Sequence, residues 1–219
     1  MMGHIMGENM DKKIKSNDFG REMINYCGYS LNRYIYIPNA IIIYHMIQNY
    51  SRYRVLRAFC DFPNRNFQFR ELSRLTKLTQ PALLNHLKEL IKENLILREE
   101  KGIYPSYKAN RDNVLFKFYK KYDIILRIHQ IKLIDYIYDS CLPNAIILFG
   151  SAAKGEDTEE SDIDIFIQSK EKKLNLEKYE KYLNRKVSLY FQEDITKIPN
   201  ELKNNILNGT VLKGYVKVF

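Results

Sequence analysis

Residues 149–167 read FGSAAKGEDTEESDIDIFI, and residue types alone trace the backbone through them. Phe149 closes the apolar run AIILF, which has the composition of a buried strand. Gly150-Ser151 turns the chain sharply, Gly155 supplies a second glycine, and SDIDIFI returns as a strand. Side chains alternate along an extended strand, so Asp162 and Asp164 project from one face while Ile163, Ile165 and Ile167 enter the core. Two carboxylates held that close repel unless a cation lies between them, and Mg2+, a hard ion with oxygen ligands, suits the pair. Gly150 lets a phosphate approach the backbone, and Ser151 offers a hydroxyl where the next helix begins. A metal-bound NTP fits that description.

This string closely resembles the GS…G…SDxD motif of minimal nucleotidyltransferases in the DNA polymerase β superfamily, over roughly residues 144–219. The resemblance implies that Gly150, Ser151, Gly155 and Ser161 bind nucleotide, and that Asp162 and Asp164 are the catalytic carboxylates that hold Mg2+. The implied reaction is transfer of NMP from an NTP to a hydroxyl acceptor, with pyrophosphate leaving. Catalytic members of that family usually carry a third carboxylate on a later strand. The matching segment here is RKVSLYFQED, residues 185–194, where alternation puts Ser188 at the expected aspartate position. A neutral hydroxyl is a poor magnesium ligand and no effective base. Glu193 and Asp194 replace it only if a shift of register or loop brings them inward. Lys154, Lys186 and Tyr190 are further candidates for the pocket wall.

Upstream, SRYRVLRAFCDFP places Val55, Leu56, Phe59 and Cys60 at helical spacing before Pro63 ends the run. FRELSRLTK continues as a helix with Leu72 and Leu75 inward, and Leu78-Thr79 make a turn. Thr79 is placed as the N-cap of QPALLNHLKELIKEN, and Pro81 is tolerated in its first turn. Leu83 or Leu84, Leu87, Leu90 and Ile91 form its buried stripe, leaving Gln80, Ala82, Asn85, His86 and Glu89 outside. LILREE, the turn Lys101-Gly102 and IYPSYKA read as a two-stranded hairpin. Helix, helix, turn, helix, hairpin is the order of a winged helix-turn-helix, and residues 50–111 resemble those of bacterial and archaeal regulators. That resemblance implies DNA binding, with Gln80, Asn85 and His86 addressing bases while Arg70, Arg74, Lys77 and Lys101 meet phosphates.

The charge is consistent with this division. Residues 1–140 hold 23 Lys and Arg against 14 Asp and Glu, whereas residues 141–219 hold 12 of each, so the whole net charge of +9 lies in the first part. A polyanionic partner is therefore expected there. Cys27, Cys60 and Cys141 form no CxxC pair and read as packing residues of a protein in a reducing, cytoplasmic setting. His4, His45 and His129 are isolated and suggest no metal cluster. The most apolar stretch, Ile35 to Ile47, is broken at Pro38 and falls short of the ~20 residues a bilayer span needs. The N-terminus has no continuous apolar region of the signal-peptide kind.

The expected fold is α+β: a winged helix followed by a small α/β domain with a mixed sheet. The expected boundaries are 1–49 unassigned, 50–110 winged helix, 111–140 connecting helices, and 141–219 nucleotidyltransferase-like domain. Residues 31–49 read as a strand, an interfacial segment or a packed helix, and as a possible homodimer contact. Three functional readings follow: an NTP- and Mg2+-dependent nucleotidyltransferase directed by DNA, a DNA-binding regulator with an impaired transferase domain, and a partner protein resembling the antitoxin half of nucleotidyltransferase toxin–antitoxin pairs.

Overall fold

A computed structural model describes residues 50–100 and 104–216, all within one compact unit. The expectations for residues 1–49 and for the wing turn at Lys101-Gly102 lie outside the described residues.

Helix α1 (Ser51–Asp61) buries Val55, Leu56, Phe59 and Cys60, as its spacing predicts. A two-residue strand β1 (Phe67–Gln68) leads into α2 (Phe69–Thr76), and α3 (Gln80–Lys92) follows. Strands β2 (Ile96–Glu99) and β3 (Ser106–Ala109) pair antiparallel, and β1 joins the far side of β3. The wing is thus a three-stranded sheet in the order β1-β3-β2 rather than a two-stranded hairpin. Phe67 carries the added strand into the core, edge-on to Phe59 with ring centroids 5.4 Å apart.

One inward assignment is corrected. Leu75 is 51% exposed, and Thr76 takes the buried position beside Leu72. The stripe of α2 runs through Leu72 and Thr76 at i,i+4 spacing, which rotates Leu75 away. The Thr76 hydroxyl donates to the Leu72 carbonyl at 2.7 Å, so no unsatisfied polar group enters the core. Lys77 then ends the helix in the left-handed region. Thr79 occupies the N-cap of α3 without a side-chain cap bond, and Pro81 sits in the first turn.

Residues 111–140 form two helices, α4 (Val114–Gln130) and α5 (Leu133–Cys141), separated where Lys132 adopts a left-handed conformation. Asn113 caps α4, its side-chain oxygen accepting from the amides of Leu115 and Phe116. These helices do more than connect. Phe116 belongs to the first core, whereas Ile124, Ile125 and Ile128 of the same helix belong to the second.

The second module has strands β4 (Ala145–Phe149), β5 (Ile163–Ile167), β6 (Val187–Phe191) and β7 (Thr210–Gly214). Their order is β6-β5-β4-β7; the β5–β6 pair is parallel and the other two antiparallel, giving the expected mixed sheet. Helix α6 (Gly150–Lys154) follows β4, α7 (Glu177–Leu183) crosses between the parallel strands, and α8 (Asn200–Leu207) precedes β7. Ile146, Leu148, Ile163, Ile165 and Ile167 pack on one face toward α4 and α5. Ile147 and Phe166 pack on the other face with Ile195, Ile198 and Ile206. Both faces being covered accounts for the unbroken apolar run in β4.

Between the modules lies a buried ionic cluster. Asp157 accepts from Lys120 at 2.5 Å and also pairs with Arg185. Arg127 pairs with Asp61 of α1 at 2.6 Å, and Tyr53 of α1 donates to Asp123 of α4. No described helix is long and apolar enough to cross a membrane.

Candidate nucleotide and DNA sites

The antiparallel register of β4 and β5 sets Phe149 opposite Asp164. The residue after Phe149 therefore lies beside the second carboxylate of the SDID string. Gly150 turns there with φ +72°, and a Cβ on it would stand 2.4 Å from Asp164 Oδ2. The carboxylate thus occupies the space a side chain would need, and only glycine permits that approach. Asp162 is exposed and Asp164 half-buried, while Ile163 and Ile165 are sealed in the core, so the predicted alternation holds. Burial, and then the Asp162 charge, push the Asp164 carboxyl above its ordinary range. Ser151 is half-buried in α6, and its carbonyl accepts from the Glu156 amide.

The parallel pairing of β5 with β6 sets Ser188 opposite Asp164, and Ser188 is exposed. The position next to the carboxylate pair therefore carries a hydroxyl. Asp194 is engaged elsewhere. It caps the short 3-10 turn Ile195–Lys197, accepting from the Thr196 amide at 3.0 Å and hydroxyl at 2.6 Å, and those bonds hold its carboxyl below the ordinary range. Glu193 is exposed beside it. Among the described residues no group of three or more His, Cys, Asp or Glu gathers as a metal cage.

Two residues expected at the nucleotide are accounted for by the loop that joins α6 to β5. Gly155 has φ +71°, and a Cβ on it would stand 2.0 Å from the Lys117 carbonyl, so it faces the backbone of α4. Ser161 Oγ accepts from the Thr158 amide at 2.9 Å and shares a 3.1 Å bond with the Thr158 hydroxyl. Arg185 fastens the same loop, donating to the carbonyls of Ser161 and Thr158 and to Asp157. Gly155 and Ser161 shape the loop that carries Asp162. Asp157 and Arg185 stand far apart in the chain and carry no local signal of their pairing. Lys154 is exposed, Lys186 pairs with Glu180 at 3.4 Å, and Tyr190 packs against Phe166.

On the first module, Arg70, Arg74 and Lys77 are exposed along α2 and have no acidic partner within ion-pair distance among the described residues. Helix α3 buries Leu83, Leu87 and Leu90. Pro81, Leu84, Asn85 and Lys88 are exposed, and Gln80 is exposed at its start. Leu84, left as an alternative core position, is therefore on the surface, and Ile91 is only partly buried. His86 is half-buried. It borders the buried stripe on the side covered by α1, where its Nε2 and the Ser51 hydroxyl share a 2.6 Å bond. Burial, and then the Arg52 charge, lower its pKa. Arg52 also pairs with Glu93 at 2.9 Å on that side.

Residues 131–213 match the family of nucleotidyltransferase domains, and residues 50–97 match the bacterial regulatory proteins of the arsR family, a helix-turn-helix type. The crystal structure of NadR in complex with 4-hydroxyphenylacetate is similar over 51% of this chain and 84% of that one, at 17% identity and a TM-score of 0.32. No curated protein matches the chain.

Proposed function

We propose that this protein, in which an arsR-type helix-turn-helix domain precedes a nucleotidyltransferase domain, grips DNA with the first module and holds a magnesium–NTP complex in the second. Its nucleotidyl transfer is weakened by the loss of the third carboxylate, so that nucleotide binding is its principal use of the second site. The observation that carries this reading is the Asp164 carboxylate lying against the bare Cα of Gly150, with Ser188 as its neighbour across the parallel strand.

The donor set fits magnesium. Asp162 and Asp164 stand at the start of β5, and burial, then the Asp162 charge, raise the Asp164 carboxyl, a repulsion between the two carboxylates that a divalent cation relieves. Bound there, the cation would neutralise phosphate charge and polarise the phosphorus under attack. Gly150 keeps the backbone open to phosphate oxygens, and Ser151 supplies a hydroxyl donor beside them. Ser188 neither ligates a second cation well nor takes a proton from an incoming hydroxyl. The retained pair of carboxylates supports a second reading, a transferase that works with two, because a site without a ligand has no physical need of paired strand carboxylates.

The test measures Mg2+-dependent binding of each NTP, together with transfer of α-labelled phosphate to the protein and to host-cell extract. The wild type is compared with Asp162→Asn/Asp164→Asn and with Ser188→Asp. Binding by the wild type, loss in the double variant, and transfer that appears or rises only with Ser188→Asp is the expected pattern. Strong transfer by the wild type selects the transferase reading. Undiminished NTP binding by the double variant overturns the site.

A further inference from the structure

The exposed face of α3 is chemically one-sided. The buried stripe Leu83, Leu87 and Leu90 sets the rotation of α3 about its axis, and Ser51 of α1 meets His86 on one flank. What its first two turns present outward is Gln80, Pro81, Leu84 and Asn85, with Lys88 one turn further on. No arginine occurs anywhere in α3, and its two lysines lie in its later turns. In helix-turn-helix docking the N-terminal residues of the second helix reach the base edges. Guanine is most often read there by Arg or Lys, whereas Asn and Gln match the N6 and N7 of adenine bidentately.

Leu84 adds an independent observation. It is 41% exposed on the outward face with Gln80, Pro81 and Asn85, an apolar side chain beside two amides. The major groove of DNA carries one apolar group, the C5 methyl of thymine. Arg70 and Arg74 stand at i,i+4 on α2 and Lys77 follows at its C-cap, exposed cations suited to the phosphates that flank the groove.

We infer that α3 reads an A·T-rich major groove, Asn85 and Gln80 pairing with adenines and Leu84 packing on thymine methyls. The inference rests on the DNA-binding reading of the first module and adds the sequence class that the module selects. His86 takes no part in it.

The experiment selects duplexes from a randomised library with the full-length chain, then measures affinities for the recovered site and its variants. The recovered core should be A·T-rich, and replacing its critical adenine by guanine should weaken binding about 10- to 100-fold. Asn85→Ala should abolish that discrimination while leaving affinity for unselected DNA and the salt dependence unchanged. Replacing thymine by deoxyuridine, which removes only the methyl, should weaken the wild type several-fold and leave Leu84→Ala indifferent. A G·C-rich core, or adenine discrimination that survives Asn85→Ala, overturns the inference while DNA binding stands. Absence of any salt-sensitive duplex binding overturns the DNA-binding reading and this inference with it.

Discussion

The two glycines of the GSAAKG string should fail in different ways when each is replaced by alanine. At Gly155 the new Cβ would stand 2.0 Å from the Lys117 carbonyl oxygen and 2.7 Å from its carbon, both main-chain atoms of a packed helix. Relief requires α6 and α4 to separate. The left-handed conformation adds roughly 1–2 kcal/mol, and overpacking of this kind typically adds about 1–3 kcal/mol. The total is roughly 2–5 kcal/mol, and at about 2–4 °C per kcal/mol for a chain of this size the melting temperature should fall by roughly 4–20 °C. At Gly150 the obstacle is Asp164 Oδ2, the end of a side chain that can swing aside. Stability should then fall only by the backbone cost, roughly 1–2 kcal/mol. The swing carries the carboxylate off its position, so Mg2+–NTP affinity should drop about 10- to 100-fold, the worth of a charged contact. Thermal melts followed by circular dichroism, paired with calorimetric titration of NTP in Mg2+, separate the two effects. Gly155→Ala that melts like the wild type but loses nucleotide would refute the packing role given to Gly155. Gly150→Ala that binds NTP normally would refute the site itself.

Asp164→Asn should raise the melting temperature of the free protein at neutral pH. Burial and Asp162 raise the folded-state pKa of this carboxyl, so its charge is a folding cost that is fully present above that pKa and is relieved as pH falls through it. The gain should therefore shrink on acidification; a loss of stability at neutral pH would show that the carboxylate is held by favourable contacts instead. Asp157→Ala strands Lys120 and Arg185, whose side chains are 4% and 9% exposed. Removing one member of such a buried pair costs about 3–5 kcal/mol, and a melting temperature unchanged within the error of the scan would show that Asp157 is dispensable.

The nucleotidyltransferase half was largely legible because strand alternation is an exact period of two. It placed Asp162 and Asp164 together, and it put Ser188 at the register position that pairs with Asp164. The α2 stripe was harder, since Leu75 and Thr76 are adjacent and composition favours the leucine; the hydroxyl bond to Leu72 that admits Thr76 is not a sequence pattern. Strand β1 holds two residues, too few to show any period. His86 lies beside Asn85 in sequence, and 100° of rotation carries it to the side where Ser51 of α1 meets it, a neighbour that only tertiary packing supplies. The Asp157–Arg185 pair joins residues 28 apart through a loop, and no spacing rule covers it.

Helix α4 starts in one core at Phe116 and ends in the other at Ile128. Twelve residues at 1.5 Å each make this an unbroken axle of about 18 Å. A domain on a flexible tether samples a volume set by linker length and meets its target at a correspondingly adjustable effective concentration. Here the distance and bearing from α3 to the Gly150 turn are built in. On the proposed reading, a ligand of the Gly150–Asp164 site would meet the DNA-bound protein at one fixed point beside the duplex, and lengthening the chain elsewhere would not extend that reach.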